Sequence, residues 1–100
     1  MMLRTFTFRV PKKRERAMRA FMKREARRLL RRVPGCRAAY FLRNQARRNE
    51  YTWVTVWTSD AARERAMQRR DWKALVKREE QAGFFAGRPR RVHYDVVLTL

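Results

Sequence analysis

Trp53-Val-Thr-Val-Trp57-Thr-Ser-Asp60 (WVTVWTSD) gives two structural instructions in a row. Trp, Val and Thr are the residues that fit a pleated, half-buried surface, so the first part reads as a strand. Ser59, the only serine in the chain, then stands where a helix needs a side-chain oxygen to cap its free N–H groups, and Asp60 follows in the first turn. Along the strand Tyr51, Trp53, Thr55 and Trp57 point one way, and Val54 and Val56 the other. Both faces are apolar, so a cover is expected on each side of the sheet.

Downstream, residues 61–82 read as helix, broken near Arg69-Arg70-Asp71, with Trp72, Leu75 and Val76 as the inward stripe of the second piece. Gly83 ends it, and residues 91–100 read as a strand with Val92, Tyr94, Val96 and Leu98 on one face. Upstream, RAAYFLR (37–43) reads as a strand joined to the tryptophan strand through the polar loop NQARRNE. Residues 12–33 place Met18, Met22, Ala26, Leu29 and Val33 at helical spacing, and Pro34-Gly35 ends that helix. The chain begins with a strand over residues 3–10 that puts Phe6, Phe8 and Val10 on one face and Arg9 on the other.

The order βαββαβ in 100 residues predicts one α+β domain over residues 1–100. Its expected form is a ferredoxin-like, four-stranded antiparallel sheet with the helices on one face. The second apolar face predicts a symmetric homodimer packed sheet on sheet. No apolar run reaches the roughly 18 residues of a membrane span, and MMLRTFTFRV lacks the apolar core of a signal peptide, so a cytoplasmic protein without membrane contact is expected. Lone Cys36 and lone His93 fall short of a disulfide framework or a zinc site, and no metal is expected.

A formal charge of +18 would hold polyanions by electrostatics alone. Much of it lies on residues 12–32, where Arg16, Arg19, Lys23 and Arg27 are candidate polyanion contacts. Two explanations stand beside each other: a nucleic-acid-binding face, or the composition of an arginine-rich or heat-adapted source. The strand aromatics do not match the RNA-recognition signature, and Glu15 with Arg19 at i+4 and Glu25 with Arg28 at i+3 fit a solvated face.

The layout resembles the antibiotic biosynthesis monooxygenase family over roughly residues 3–98. The residues that carry the likeness are WVTVWTSDAA, where a strand ends in Trp57 before capping Ser59, and RRDWKAL, with a second aromatic, Trp72, fifteen residues on. The resemblance implies a dimeric α+β barrel and, in one branch, a monooxygenase that needs no cofactor and acts on a small aromatic or quinol-type substrate. A haem-degrading branch uses Asn on the first strand and Trp and His in the second helical region. Here residues 1–10 hold no Asn and the matching positions are Ala66 and Val76, so haem chemistry by that route is not expected.

A cofactor-free oxygenase must bind a flat substrate, favour its anion and exclude water. Tyr40, Trp53, Trp57 and Trp72, with Phe21, are the expected walls of a pocket between sheet and helices, with Tyr40 or Tyr51 offering a hydroxyl; plain core packing is the competing reading of each ring. His93 is a candidate proton-transfer group, expected to face the dimer side, and Arg9 a candidate anion stabiliser. A non-catalytic basic binding protein for nucleic acid or a small ligand, on the same fold, is the alternative.

Overall fold

The computed structural model describes all residues, 1–100. Strand β1 (Met2–Arg9) leads through Pro11 into a 3₁₀ turn (Lys12–Arg14) and helix α1 (Glu15–Phe21), then a π-helical turn (Met22–Ala26) and helix α2 (Arg27–Arg32). Strands β2 (Cys36–Arg43) and β3 (Glu50–Trp57) form a hairpin, α3 (Asp60–Gln68) and α4 (Arg70–Gln81) follow, and β4 (Arg90–Asp95) closes the sheet. The order is β2-β3-β1-β4 with every neighbouring pair antiparallel, the ferredoxin-like arrangement expected.

The π-helical turn has a local cause. Core residues Met18, Met22 and Ala26 recur every fourth position, a period slightly longer than the 3.6 of an α-helix, and a wider turn keeps all three on the sheet side. All three are buried, as are Leu29 and Val33. One cluster gathers Phe8, Val10, Met18, Met22, Tyr51 and Phe84, and a second gathers Met2, Leu29, Val33, Trp57 and Ala66. Thus the even-numbered face of β1 and the odd-numbered face of β3 lie under the helices.

The second helix begins where the tryptophan stretch places it: Ser59 Oγ accepts the N–H of Ala62 at 3.1 Å. The break before α4 falls at Arg69, whose backbone is extended (φ −65°, ψ 143°) and whose guanidinium holds Asp71 at 3.0 Å. No helix is long and apolar enough to cross a membrane.

Two expectations change. Strand β4 ends at Asp95, not Leu100: Asp95 pairs with Met2 at the start of β1, so the ladder has no partner beyond it except one bond from Val96 N–H to the Met1 carbonyl. His93 is opposite Arg4 and shares its helix-side face, while Val92 and Tyr94 pair with Thr5 and Leu3 on the bare face. The apolar residues of β4 therefore point away from the helices, which puts His93 toward them.

Candidate active-site pocket and cationic cleft

Trp53 lines two cavities. The interior pocket, about 370 Å³, lies between the sheet and α2 and α4; its walls include Trp53, Thr55, Leu29, Trp72, Leu75 and Val76. The larger cleft, about 1020 Å³, opens between the basic helical run and β2, over Ala39, Phe41, Tyr51 and Trp53. Trp53 Nε1–H points at Met22 Sδ (3.5 Å), and its ring meets Phe41 at a centroid distance of 4.7 Å. Trp53 thus forms part of the wall of both.

Of the six charged side chains that line the interior pocket, two are buried, one on its floor and one on its roof. Arg4 occupies the core phase of β1 and is 8% exposed; Glu79 occupies the inward phase of α4, three residues after Val76 and four after Leu75, and is 5% exposed. Neither appears among the ion pairs, and Arg4 Nε is buried without any hydrogen-bond partner. A buried guanidinium N–H without an acceptor is costly, and so is a buried carboxylate without a donor.

The protonation equilibria report that cost. Burial pushes the Glu79 carboxyl up to about 8; Glu80 adds to the shift, and Arg4 and Arg91 oppose it. Burial also brings Arg4 down to about 10, helped by the like charges of Arg91 and Arg63. The guanidiniums of Arg4 and Arg91 both lie over the Phe6 ring, at 5.4 and 4.9 Å from its centroid.

The residues expected at a site are only partly brought together. Trp53 and Trp72 line the interior pocket. Trp57 does not: it is fully buried, its Nε1–H bonded to Thr55 Oγ1 at 2.9 Å and its ring 6.0 Å from Trp72, so it is core beneath α3 and α4. Tyr40 pairs with Val54 on the bare sheet face and is 57% exposed; the β2–β3 register, shifted by an irregularity between Cys36 and Ala38, turns Phe41 rather than Tyr40 toward the helices. Phe21 packs edge-on against Phe84 and under Arg78, away from both cavities.

Tyr51 is buried, and its hydroxyl donates to Glu15. Arg9 stands on the bare face beside Glu50 at 3.9 Å, outside the pocket. His93 is solvent-exposed and borders neither cavity; what burial it has, with Arg63 and Arg4 near it, holds its pKa below the usual imidazole value. Of the basic candidates, Arg19, Lys23 and Arg27 rim the larger cleft, whereas Arg16 lies outside it. No three His, Cys, Asp or Glu side chains are grouped as a metal site.

Arg4 and Glu79 were missed in the sequence, although a signal exists: each is a charged residue in the apolar phase of its element. A ferredoxin-like α+β domain with a small, partly charged cavity between sheet and helices is the class this geometry defines. The chain belongs to the antibiotic biosynthesis monooxygenase family, whose sequence model matches residues 1–78.

Solved structures agree in fold across nearly the whole length. A Bordetella bronchiseptica protein named for this family is 25% identical, with TM-score 0.80, covering 97% of this chain and 98% of that one. SnoaB from Streptomyces nogalater, a cofactor-independent oxygenase, is 19% identical with TM-score 0.82, covering 99% and 95%. A Deinococcus radiodurans protein named for the family has TM-score 0.86 at 10% identity, covering 100% and 96%. No curated protein matches the chain in sequence.

Proposed function

We propose that this chain is a cofactor-independent monooxygenase for a small, electron-rich aromatic or quinol-type molecule carrying an ionisable hydroxyl, bound in the interior pocket. The observation that carries the reading is Arg4 Nε, buried and without an acceptor in a pocket that the buried carboxyl of Glu79 also lines. A phenol laid against Trp53 and Trp72 satisfies both groups: its hydroxyl gives a proton to the Glu79 carboxylate, and the phenolate oxygen accepts from Arg4. The base is matched to the task, since a carboxyl titrating near 8 is a far better acceptor for a phenolic proton than an ordinary glutamate.

The phenolate then reduces O₂. One oxygen atom replaces hydrogen on a ring carbon and the other leaves as water, giving a quinone from a phenol with a free para carbon or a hydroxyquinone from a hydroquinone; the substrate supplies all four electrons, so no external reductant enters. Leu29, Leu75 and Val76 make part of the wall apolar, and low polarity there strengthens the Arg4–phenolate attraction. Arg9 and His93, which border no part of this pocket, have no role in this scheme.

A homodimer belongs to the same proposal. Leu3, Tyr40, Leu42, Val54, Val56 and Tyr94 share the sheet face without helices, and Tyr40, Leu42 and Tyr94 are each about half exposed. The test is an oxygen electrode with a panel of hydroxylated naphthalenes and hydroquinones. One O₂ consumed per product, with one oxygen atom added to the ring and no hydrogen peroxide released, is the expected result; absence of both binding and oxygen uptake across the panel, or quinone formed with peroxide and no added oxygen, would overturn it.

A further inference from the structure

The larger cleft plays no part in that chemistry, and its charge sets it apart. Six cations line it: Arg19, Lys23, Arg27, Arg31, Arg37 and Arg43, with no carboxylate among the lining residues. Three of the acidic side chains are engaged with arginines outside the cleft: Glu25 with Arg28 and Arg78, Asp71 with Arg32 and Arg69, Glu50 with Arg9 and Arg47. Of the six, only Arg43 comes near a carboxylate, Glu15 at 4.0 Å. With a net charge of +18, many basic residues of this chain have no ion pair. What marks the cleft is that six cations, five of them unpaired, meet in one concavity whose lining holds no carboxylate.

Their spacing is regular. Arg19, Lys23, Arg27 and Arg31 follow one another every fourth residue, so they form one ridge along the helical run with steps of roughly 6 Å. That step is on the scale of the phosphate repeat in an extended single strand. Facing the ridge across the cleft, Arg37 and Arg43 stand at the two ends of β2, and between the rims lies a floor of Ala39, Phe41 and Trp53. A cationic groove with aromatic rings at its base is how single strands are held without sequence preference: phosphates on the cations, bases against the rings.

We propose that this cleft is a binding site for single-stranded nucleic acid, with phosphates along the Arg19–Lys23–Arg27–Arg31 ridge and a base against Trp53 and Phe41. A duplex keeps its bases stacked inside and cannot lay one on that floor. The cleft lies on the helix side of the sheet, so the bare face stays free for the partner copy. The inference is independent of phenol oxidation in the interior pocket and stands if that activity is absent.

The test is a fluorescence titration of the intact protein at near-physiological salt. The probes are single-stranded oligothymidylate and oligouridylate, a duplex of equal length, and inorganic polyphosphate as a polyanion without bases. Either single strand, or both, is expected to bind about tenfold more tightly than the duplex and to quench Trp53, whereas polyphosphate binds without that quenching. The log–log salt slope is expected near −4, from six cations at about 0.7 each.

Lys23→Glu/Arg27→Glu is expected to weaken single-strand binding by about thirtyfold or more, while Arg48→Glu/Arg88→Glu, the same charge change on exposed arginines outside the cleft, costs about threefold or less. Lys23→Ala/Arg27→Ala, with an unchanged circular dichroism spectrum, guards against a folding defect. Equal losses in the two Glu pairs, or polyphosphate matching the single strands in affinity and quenching, would overturn the site and leave only adhesion by net charge.

Discussion

Arg4 and Glu79 face the same 370 Å³ pocket from opposite walls, both more than nine-tenths buried, yet no nitrogen of one lies within 4.0 Å of an oxygen of the other. A pair buried for structural reasons would be expected to close into a salt bridge, because each charge without a partner is expensive. The gap between them is where the proposed substrate hydroxyl fits.

Glu79 makes stability depend on pH with a definite sign. Its folded pKa is raised from 4.5 to about 8, so the folded state holds a proton that the unfolded chain releases earlier. The stabilisation is complete below the unfolded value and is lost as pH rises toward 8, a contribution on the order of a few kcal/mol. Glu79→Gln is expected to flatten this loss between pH 5 and 8 in thermal melts. His93, whose pKa is lowered, acts with the opposite sign near and below its usual value and is present in both proteins, so the difference between them isolates Glu79.

Under the proposed oxygenation, Arg4→Met and Glu79→Gln should each lower kcat/KM by about a hundredfold, the usual loss of an anion-stabilising donor or a general base. Arg4→Lys should restore little, because a lysine ammonium does not place a donor where the Nε–H lies. His93→Ala should leave turnover unchanged. A large loss with His93→Ala and none with Glu79→Gln would move the base to the wrong side of this account.

Gly35 lies at the turn before β2 with φ +91°, and a Cβ there would stand 2.7 Å from Ala62 Cβ at the start of α3. Gly35→Ala is expected to cost about 1–3 kcal/mol through backbone strain and a clash with a short, rigid side chain. Gly83→Ala has open space around it and only its positive φ (+70°) to resist, so it should melt at the higher temperature of the two. Reversal of that order would show that the contact with Ala62 is not tight.

Ser59→Ala removes the acceptor for the Ala62 N–H and should destabilise by about 1 kcal/mol, read as a lower denaturation midpoint at constant slope; Ser59→Asp should recover most of it.

On the bare sheet face Val56 pairs with Leu3 on one side and Ala38 on the other. Val56→Lys puts a charge in the middle of the proposed dimer contact while leaving the helix-side core untouched. Sedimentation is expected to show a dimer for the parent chain and a monomer for the variant at micromolar concentration. A parent chain that sediments as a monomer would remove the dimer.

Local chemistry was enough to place most of the frame. Ser59 with Asp60 favours a helix start directly after the strand, alternation around Trp53 and Trp57 makes a strand, and the fourfold recurrence of Met18, Met22 and Ala26 makes a helical stripe, though not its wide turn. Family membership was legible from the same stretch, because the strand, cap and second aromatic follow one another along the chain. What alternation cannot state is which face is inside. Tyr40 and Phe41 are neighbours that must point in opposite directions, and only the β2–β3 register, with its shift near Cys36, turned Phe41 inward. His93 was settled in the same way by its pairing with Arg4.

The sequence by itself determined the elements, their order and the excess of positive charge, since these depend on periods of two and about four and on residues next to one another. Only the tertiary structure decided that Trp57 is core while Trp53 lines cavities, that Arg4 and Glu79 share a pocket, and that one ridge of cations is left unpaired. Those facts arise where residues far apart in the chain meet, and burial, which sets the cost of each charge, exists only once they have met.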